Sequence, residues 1–386
     1  MVASIALPRL LRVGAGAFAQ LPAVLAELGL SRPLIVADAY LNESGRVASA
    51  VAMLAAAGIT ARVFADTVPD PTAASVMAGV AYLAQAEHDC VVAIGGGSPI
   101  DTAKAIAVIA RHGGVPADYK VPHVQDAPGL PVVAVPTTAG TGSEATRFTV
   151  ITDEATDEKM LCAGAAFLPV AALVDYELTL TKPRRLTADT AIDSLTHAIE
   201  AFVSRRANPL SDELAVSAMR LIAPNLRRVF RDGDDREARE AMMLGATLAG
   251  MAFSNASVAL VHGMSRPIGA HFHVPHGLSN AMLLPAVTAW SAPGAQARYA
   301  RCARAMGIAR EGDADAVAVA RLIEELNLIN HDLEVPTPAG WGVTRERWQA
   351  AVPVMTRQAL ASGSPANNPR VPTADEIADL YGQVFA

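Results

Sequence analysis

The chain has 386 residues, 52% hydrophobic and 18% charged, which excludes a disordered polyelectrolyte because ample apolar surface is available for burial. The net charge of -7, without a long basic run, argues against nucleic acid as a partner. Three scattered cysteines and the lack of a membrane-length apolar run predict a cytoplasmic protein with neither a disulfide framework nor a membrane segment.

Strand and helix signals alternate along the first half of the chain. The predicted strands are 33–38, 61–64, 90–94 and 131–135. The predicted helices are 21–28, 46–57, 72–86 and 101–111. Strands that alternate with helices of this length predict an α/β domain with a doubly wound parallel sheet.

The pattern changes near Leu178, and Pro183 is a plausible boundary. The later segments have helical period, at 187–204, 209–230, 235–253, 295–306 and 313–328. We therefore predict an α/β domain over residues 1–180 and an all-helical domain over 181–386. We expect the functional site in the cleft between the two domains.

Two loops of the first domain have the composition of phosphate-binding loops. Gly95–Gly97 follows a predicted strand and opens a helix, whose free N–H groups favour an anion. The alternative is an ordinary turn with Ser98 as the helix cap and Pro99 in the first helical position. The second loop, 136–144, also follows a strand and is rich in threonine and glycine. Together the two loops favour a dinucleotide.

Asp38 stands at the end of the first strong strand. An acid in this place accepts hydrogen bonds from a ribose hydroxyl and repels a 2′-phosphate, which favours NAD over NADP. The alternative is that Asp38 only caps the following helix.

The second domain contains candidate metal ligands. Asp193 and His197 are four residues apart in a helical window, so they share one face, although such a pair alone is more often a helix ion pair or a satisfied core histidine. Four of the nine histidines lie within 262–276 among apolar neighbours, which indicates a buried setting. Because a buried histidine needs a partner, this density favours a metal site for Fe(II) or Zn(II).

These motifs together resemble the iron-containing (group III) alcohol dehydrogenase family. The motifs are VPDPT (68–72), GGGSPIDTAKAI (95–106), PTTAGTGSE (136–144), AIDSLTHAIEAFVS (191–204) and VHGMSRPIGAHFHVPHGLSNAMLLP (261–285). The resemblance implies reversible hydride transfer between NAD(P) and an alcohol or aldehyde, an iron or zinc ion, and a homodimer.

The resemblance also implies roles for individual residues. The implied metal ligands are Asp193, His197, His262 and His276. The implied cofactor residues are Asp38, Asp70, Gly96, Gly97, Ser98, Asp101, Thr137, Thr138, Thr141 and Lys159. Apart from the resemblance, the reaction needs a proton relay, for which His273, water and the nicotinamide ribose are candidates, although His273 could equally be a packed histidine.

One position departs from the family pattern. Close members have a histidine where this chain has Arg266, at the border of the substrate pocket. An arginine favours oxyanions, so Arg266 suggests an anionic substrate of the hydroxy-acid type. The alternative is that Arg266 pairs with a protein acid such as Glu200.

Two other functions remain open at this point. The first is an NAD- and metal-dependent lyase or cyclase resembling dehydroquinate synthase, which would need several basic residues for its substrate and usually a glutamate among the ligands. The second is a non-catalytic protein on a decayed enzyme scaffold. The presence of Asp193, His197, His262 and His276 argues against the second.

Overall fold

A computed structural model describes residues 2–385 of the chain. Residues 5–180 form one compact unit, and the residues from 181 onward form the bulk of a second one. We call them the α/β unit and the helical unit.

The α/β unit alternates strands and helices as the sequence predicts. Its strands are β1 (Leu10–Val13), β2 (Pro33–Asp38), β3 (Arg62–Thr67), β4 (Cys90–Gly95), β5 (Val132–Pro136), β6 (Phe148–Asp153), β7 (Glu158–Ala163) and β8 (Ala171–Val174). Its α-helices are α1 (Leu21–Leu28), α2 (Ala39–Glu43), α3 (Arg46–Ala56), α4 (Ala73–Leu83) and α5 (Gly97–His112).

Six of these strands form one parallel sheet in the order β1-β8-β5-β4-β2-β3. From β2 the chain continues to β3 on one side, whereas from β4 it continues to β5 on the other. The connections after β2 and β4 therefore diverge, and a crevice forms at the carboxyl ends of these neighbouring strands, where ligands of open α/β sheets bind.

Helices cover both faces of the sheet. Alternate strand residues such as Val36 and Ala93 pack with α4 and α5, and the intervening residues such as Ile35 and Val92 pack with α1 and α3. Because both faces are buried, the strands are continuous apolar runs without a polar face. The predicted doubly wound architecture is confirmed.

Several local predictions differ from the structure. Helix α5 begins at Gly97 with Gly96 as its cap, so Ser98 is not the cap and the predicted start at residue 101 is four residues late. The strand predicted at 61–64 extends to Thr67. The edge strand β1 and its neighbour β8 were not predicted. The antiparallel β6–β7 hairpin was not predicted either, because its short, mixed segments lack the long apolar run of a buried strand.

The helical unit contains nine α-helices among the described residues. They are α6 (Arg184–Val203), α7 (Pro209–Arg231), α8 (Arg236–Ala256), α9 (Leu260–Phe272), α10 (His276–Ser291), α11 (Gln296–Ala305), α12 (Asp315–Asp332), α13 (Arg345–Ala361) and α14 (Ala374–Val384). Helix α6 is buried along nearly its whole length and packs against α7, α8 and α10. The predicted all-helical character is confirmed.

In the part of the chain that the structure describes, no single helix is both long and apolar enough to cross a membrane. The bent pair α8 and α9 passes that test only when the two helices are taken together, across a bend of 106°. Both helices are largely buried within the protein, as core helices are.

Candidate metal centre and cofactor loops

Three helices bring one carboxylate and three imidazoles together. Asp193 and His197 lie one turn apart on α6, His262 lies on α9, and His276 is the first residue of α10. One ligand atom from each residue lies within 4.8 Å of the other three. The Asp193 Oδ1 atom lies 3.6 Å from Nε2 of His262, 3.7 Å from Nε2 of His276 and 3.9 Å from Nε2 of His197.

This spacing fits a tetrahedral divalent ion. Ligands about 2.1 Å from a tetrahedral centre are about 3.4 Å from each other. The distances of 3.6–3.9 Å from Asp193 Oδ1 to the three imidazole nitrogens need only a small contraction to reach that geometry. A set of three nitrogens and one oxygen accepts both Fe(II) and Zn(II). His276 is the exposed member of the set, with 34% of its side chain accessible, so the cluster can be reached from its side.

A buried carboxylate orients His262. Glu200 Oε2 lies 2.6 Å from His262 Nδ1, and the same carboxylate accepts hydrogen bonds from the backbone N–H groups of Ala259 at 3.0 Å and Val261 at 2.6 Å. This contact places the proton of the imidazole on Nδ1 and leaves Nε2 free to face the other ligands. Burial lowers the pKa of His262, but the charge of Glu200 outweighs this effect and raises the pKa above its usual value.

Neighbouring side chains also position His197 and keep Asp193 charged. The ring of His197 stacks between those of Phe253 and His262, with centroids 4.3 Å and 4.4 Å away. Burial would raise the pKa of Asp193, but the surrounding imidazoles, first His197, hold it well below its usual range. Asp193 is therefore ionised and has the charge that a cation requires.

Asn280 and Gly277 complete the inner side of the cluster. The Asn280 Nδ2 atom donates to Asp193 Oδ1 at 2.7 Å, which fixes the orientation of the carboxylate. At Gly277 an added Cβ would collide with the backbone oxygen of Asp189 and would lie 3.3 Å from the Cβ of Asp193. Glycine is therefore what allows α10 to approach α6 closely enough for His276 to reach the other ligands.

The four clustered histidines of the sequence divide into two pairs. His262 and His276 lie in the metal cluster, whereas His271 faces Gln358, whose Oε1 lies 2.9 Å from its Nε2. His273 ends α9 in a left-handed conformation, and it is exposed in the helical unit. The buried setting predicted for this segment therefore holds for His262, whereas His271 and His276 are partly exposed and the prediction is wrong for His273.

Arg266 lies one turn beyond His262 on α9 and donates from Nη1 to Ser364 Oγ at 3.1 Å. No acidic side chain among residues 2–385 forms an ion pair with it. The predicted alternative partner, Glu200, is instead bonded to His262 and two backbone N–H groups.

In the α/β unit the two glycine- and threonine-rich loops converge. A Cβ added to Gly96 would lie 3.2 Å from Thr138 Oγ1, and one added to Gly97 would lie 2.8 Å from Thr141 Cγ2. The Thr137 N–H also donates to the carbonyl of Gly95 at 2.9 Å. The loops therefore meet at the amino end of α5, beside the crevice after β4, where an anion gains from the free N–H groups of the helix.

Thr137 provides an observation that favours a ligand at these loops. Its side chain is 1% exposed, and its Oγ1 finds no hydrogen-bond partner in the described part of the chain. An unpaired buried hydroxyl costs about 1–3 kcal/mol, so a hydroxyl in this position fits a site that a polar ligand completes. Ser98 lies in the first turn of α5 at the same place.

The predicted acidic cofactor residues also have structural partners. Asp38 ends β2 and caps α2 by accepting from the N–H of Leu41 at 2.7 Å. The carboxylate of Asp101 accepts from Ser143 Oγ at 2.5 Å and from the N–H of Val150 at 2.8 Å, so it holds the second loop and the hairpin to α5.

Asp70 and Lys159 lie together. The Lys159 Nζ atom is 2.8 Å from Asp70 Oδ1, and Asp70 has a positive φ of 50°. The lysine side chain is largely buried, whereas that of Asp70 is exposed.

Sequence reasoning missed four residues that shape these sites. Glu200 appeared only as a possible partner of Arg266, and Asn280, Phe253 and Gly277 were not considered. Glu200 is seven residues from Asp193 and three from His197, on the same helix, and this spacing is the signal that would have found it.

Comparison with known proteins agrees with this geometry. The profile described as "Iron-containing alcohol dehydrogenase" matches residues 8–176, and that described as "Fe-containing alcohol dehydrogenase family, C-terminal" matches residues 187–385. A relative named NAD-dependent methanol dehydrogenase from Bacillus methanolicus is 37% identical, over 95% of this chain and 96% of its own length.

Solved structures give the same result. A 1,3-propanediol oxidoreductase superposes with a TM-score of 0.94 at 34% identity, over the full length of both chains. A sulfoacetaldehyde reductase from Bifidobacterium kashiwanohense, solved in complex with NAD+, superposes with a TM-score of 0.88 at 27% identity, over 100% of this chain and 99% of its own. Because both halves of the sequence match the same family and the four candidate ligands come together, the chain belongs to the iron-containing alcohol dehydrogenase family.

Proposed function

We propose that the protein is a metal-dependent NAD(H) oxidoreductase that interconverts an alcohol and an aldehyde or ketone. The single observation that carries the proposal is the cluster of Asp193, His197, His262 and His276, whose spacing and charge suit one divalent ion. The family membership supports the same reaction, and it does not favour the lyase or cyclase alternative.

Each side chain of the cluster has a proposed part in holding the ion. Asp193 contributes the negative charge, and the three imidazoles contribute neutral nitrogen ligands. Glu200 and Asn280 fix the orientation of His262 and Asp193. When bound, the ion supplies Lewis acidity toward the substrate oxygen, and the nicotinamide supplies or accepts the hydride.

The α/β unit is the proposed binding site for NAD. The amino end of α5 with Gly96, Gly97 and Ser98 is suited to the pyrophosphate, with Thr137, Thr138 and Thr141 beside it. Asp38, placed at the crevice of the sheet, is suited to a ribose hydroxyl and would disfavour NADP. Asp101 would act through the loop it holds, and the Asp70–Lys159 pair stays a proposed contact to the rest of the cofactor.

The remaining parts of the proposal concern proton transfer and the state of the protein in the cell. His273 is exposed at the end of α9 and is the proposed member of the proton relay. We also propose iron as the native metal, with zinc as a substitute, and a cytoplasmic homodimer. A particle of twice the chain mass in light scattering would support the dimer, and a monomer at working concentration would refute it.

The proposed function is tested by metal loading and turnover. The protein is stripped with a chelator, loaded with Fe(II) or Zn(II), and assayed with NAD(H) against a panel of alcohols and aldehydes. His262→Ala is the test variant, and His271→Ala is the matched control on the same helix. We expect about one ion per chain in the wild type and the control, and nearly none in His262→Ala.

Turnover should follow the metal content, while NADH binding should stay within a few-fold in both variants, because the cofactor loops belong to the α/β unit. Full metal content and full turnover in His262→Ala would refute the ligand assignment. A loaded wild type that neither oxidises nor reduces any member of the panel would refute the proposed reaction.

A further inference from the structure

Arg266 is a partly buried cation close to the metal cluster. It follows His262 by four residues on α9, so the two side chains leave the same face of the helix, about 6 Å apart along the axis. Burial lowers the pKa of its guanidinium to about 10, and at neutral pH the group is still charged. A charge held away from water needs a partner of opposite sign.

The protein itself supplies little to balance this charge. Within residues 2–385 the guanidinium donates one hydrogen bond, to a neutral group, Ser364 Oγ, at 3.1 Å. Glu200 is the acid whose charge acts on Arg266, but its two oxygens are engaged by Ala259, Val261 and His262. A guanidinium has five N–H donors, so several are available to another group.

A count of formal charges around Arg266 shows a surplus of positive charge. Asp193 and Glu200 together balance the two positive charges of a divalent ion in the cluster. The next acid along α6, Asp189, is paired with Arg185 at 2.7 Å and does not contribute. Arg266 therefore leaves one positive charge without a counterpart in this part of the helical unit.

We propose that Arg266 binds an oxyanion group of the substrate, such as a carboxylate, which makes the substrate a hydroxy acid or the corresponding aldehyde or keto acid. The proposal rests on the function proposed above. A planar guanidinium binds a carboxylate through two parallel hydrogen bonds, so it both neutralises the charge and orients the molecule. The helical rise between His262 and Arg266 suits a chain of about three to five atoms between the reacting carbon and the oxyanion.

The kinetic test compares ω-hydroxy acids of four, five and six carbons with the neutral primary alcohols of the same length. The variants are Arg266→Met, which keeps the length of the side chain, and Arg266→Lys, which keeps the charge. Arg347→Met is the control, because it removes an exposed arginine from the same unit.

We expect the wild type to prefer at least one acid by about tenfold or more in kcat/KM. Arg266→Met should lose about 100-fold on that acid and less than threefold on the alcohol, because a charged hydrogen-bonded pair is lost. Arg266→Lys should recover part of the loss, and Arg347→Met should match the wild type.

A binding measurement separates this proposal from the proposed reaction. Calorimetry on metal-free wild type should show butyrate binding at least tenfold more tightly than butyramide, and Arg266→Met should abolish the difference. If the loaded enzyme turns over nothing but butyrate still binds through Arg266, the reaction is wrong and the anion site stands. If the wild type prefers neutral alcohols at every length, or butyrate binds no better than butyramide, the anion site is wrong.

Discussion

The metal cluster and the cofactor loops differ in what holds them. In the metal cluster, the proposed ligands are side chains, and other side chains such as Glu200 and Asn280 hold them in position. In the loops, the proposed binding groups are largely backbone N–H groups, and the polar side chains hold the loops themselves, as Asp101 does. A change in the first region should act on affinity directly, whereas a change at the residues that hold the loops should act through loop position and stability.

The largest expected effect is a loss of stability on substitution of Lys104, which holds the cofactor loops from inside the α/β unit. It is fully buried, and its Nζ donates to Ser143 Oγ, Thr146 Oγ1 and the carbonyls of Thr146 and Phe148 at 2.8–3.1 Å. Lys104→Met removes these bonds and leaves the Asp101 carboxylate, 4.0 Å away, without its cation.

We expect Lys104→Met to cost about 3–5 kcal/mol and to lower the first thermal transition by several degrees, because a buried charge loses its partner. Lys120→Met is the control, since Lys120 makes only a surface ion pair with Glu158, worth less than about 1 kcal/mol. Equal melting temperatures for the two variants would show that Lys104 does not hold the loops.

The next effect concerns the carboxylate behind His262. Glu200→Gln keeps the size of the side chain but removes the charge that orients and polarises the imidazole. We expect the metal affinity to fall about 10- to 100-fold, as is usual when such a group behind a ligand is lost. Competition with a chromophoric chelator measures this affinity, and an unchanged dissociation constant would contradict the role of Glu200.

A smaller effect is expected at Thr137, where a substitution should preserve or raise the stability of the protein but weaken its affinity for NADH. Thr137→Val replaces a buried hydroxyl that lacks a protein partner with a methyl group of similar volume. The free protein should become equally stable or about 1 kcal/mol more stable, while NADH binding should weaken about 5- to 10-fold.

Thr102→Val is the control for Thr137→Val. Its hydroxyl donates to the Ser98 carbonyl at 2.9 Å and is therefore already satisfied. This variant should lose stability slightly and bind NADH as the wild type does. Loss of stability in Thr137→Val with unchanged NADH binding would show that the hydroxyl serves the fold.

The smallest effect is expected on the preference for NADH over NADPH, at Asp38. One substitution there can remove the charge and still keep the helix cap. Asp38→Asn keeps a side chain that caps α2 well but removes the negative charge. We expect the wild type to prefer NADH over NADPH in kcat/KM, and the variant to lose about fivefold of that preference. Equal use of the two cofactors by the wild type would contradict the prediction.

The two regions also differ in how far the sequence predicted them. The four residues that the structure brings together in the metal cluster were all named from the sequence, because their motifs match the family pattern. The role of Glu200 was not recognised: its spacing from Asp193 and His197 places it near their face of α6, but its contact with His262, 62 residues later, depends on how α9 packs.

In the α/β unit the alternation of strands and helices was predicted well, because buried parallel strands are long apolar runs. The start of α5 and the hairpin were not predicted. Gly96 caps α5 through backbone geometry that leaves no polar signature, and the hairpin depends on Asp101, which bonds to Val150 49 residues away. Asp38, Asp70 and Asp101 were all predicted as cofactor residues, yet each has a protein partner, since the same residue types cap helices and form ion pairs.

Helix α6 contributes Asp193, His197 and Glu200, so the spacing along this one helix fixes the relative positions of three groups of the metal cluster. Each residue of an α-helix is rotated by about 100° from the one before it. A single insertion or deletion between Asp193 and Glu200 would therefore turn at least one of these groups away from the others, whatever residue it involved. We expect related sequences to vary freely at the exposed positions of helices α12 and α13, but to keep the number of residues in this segment of α6 unchanged.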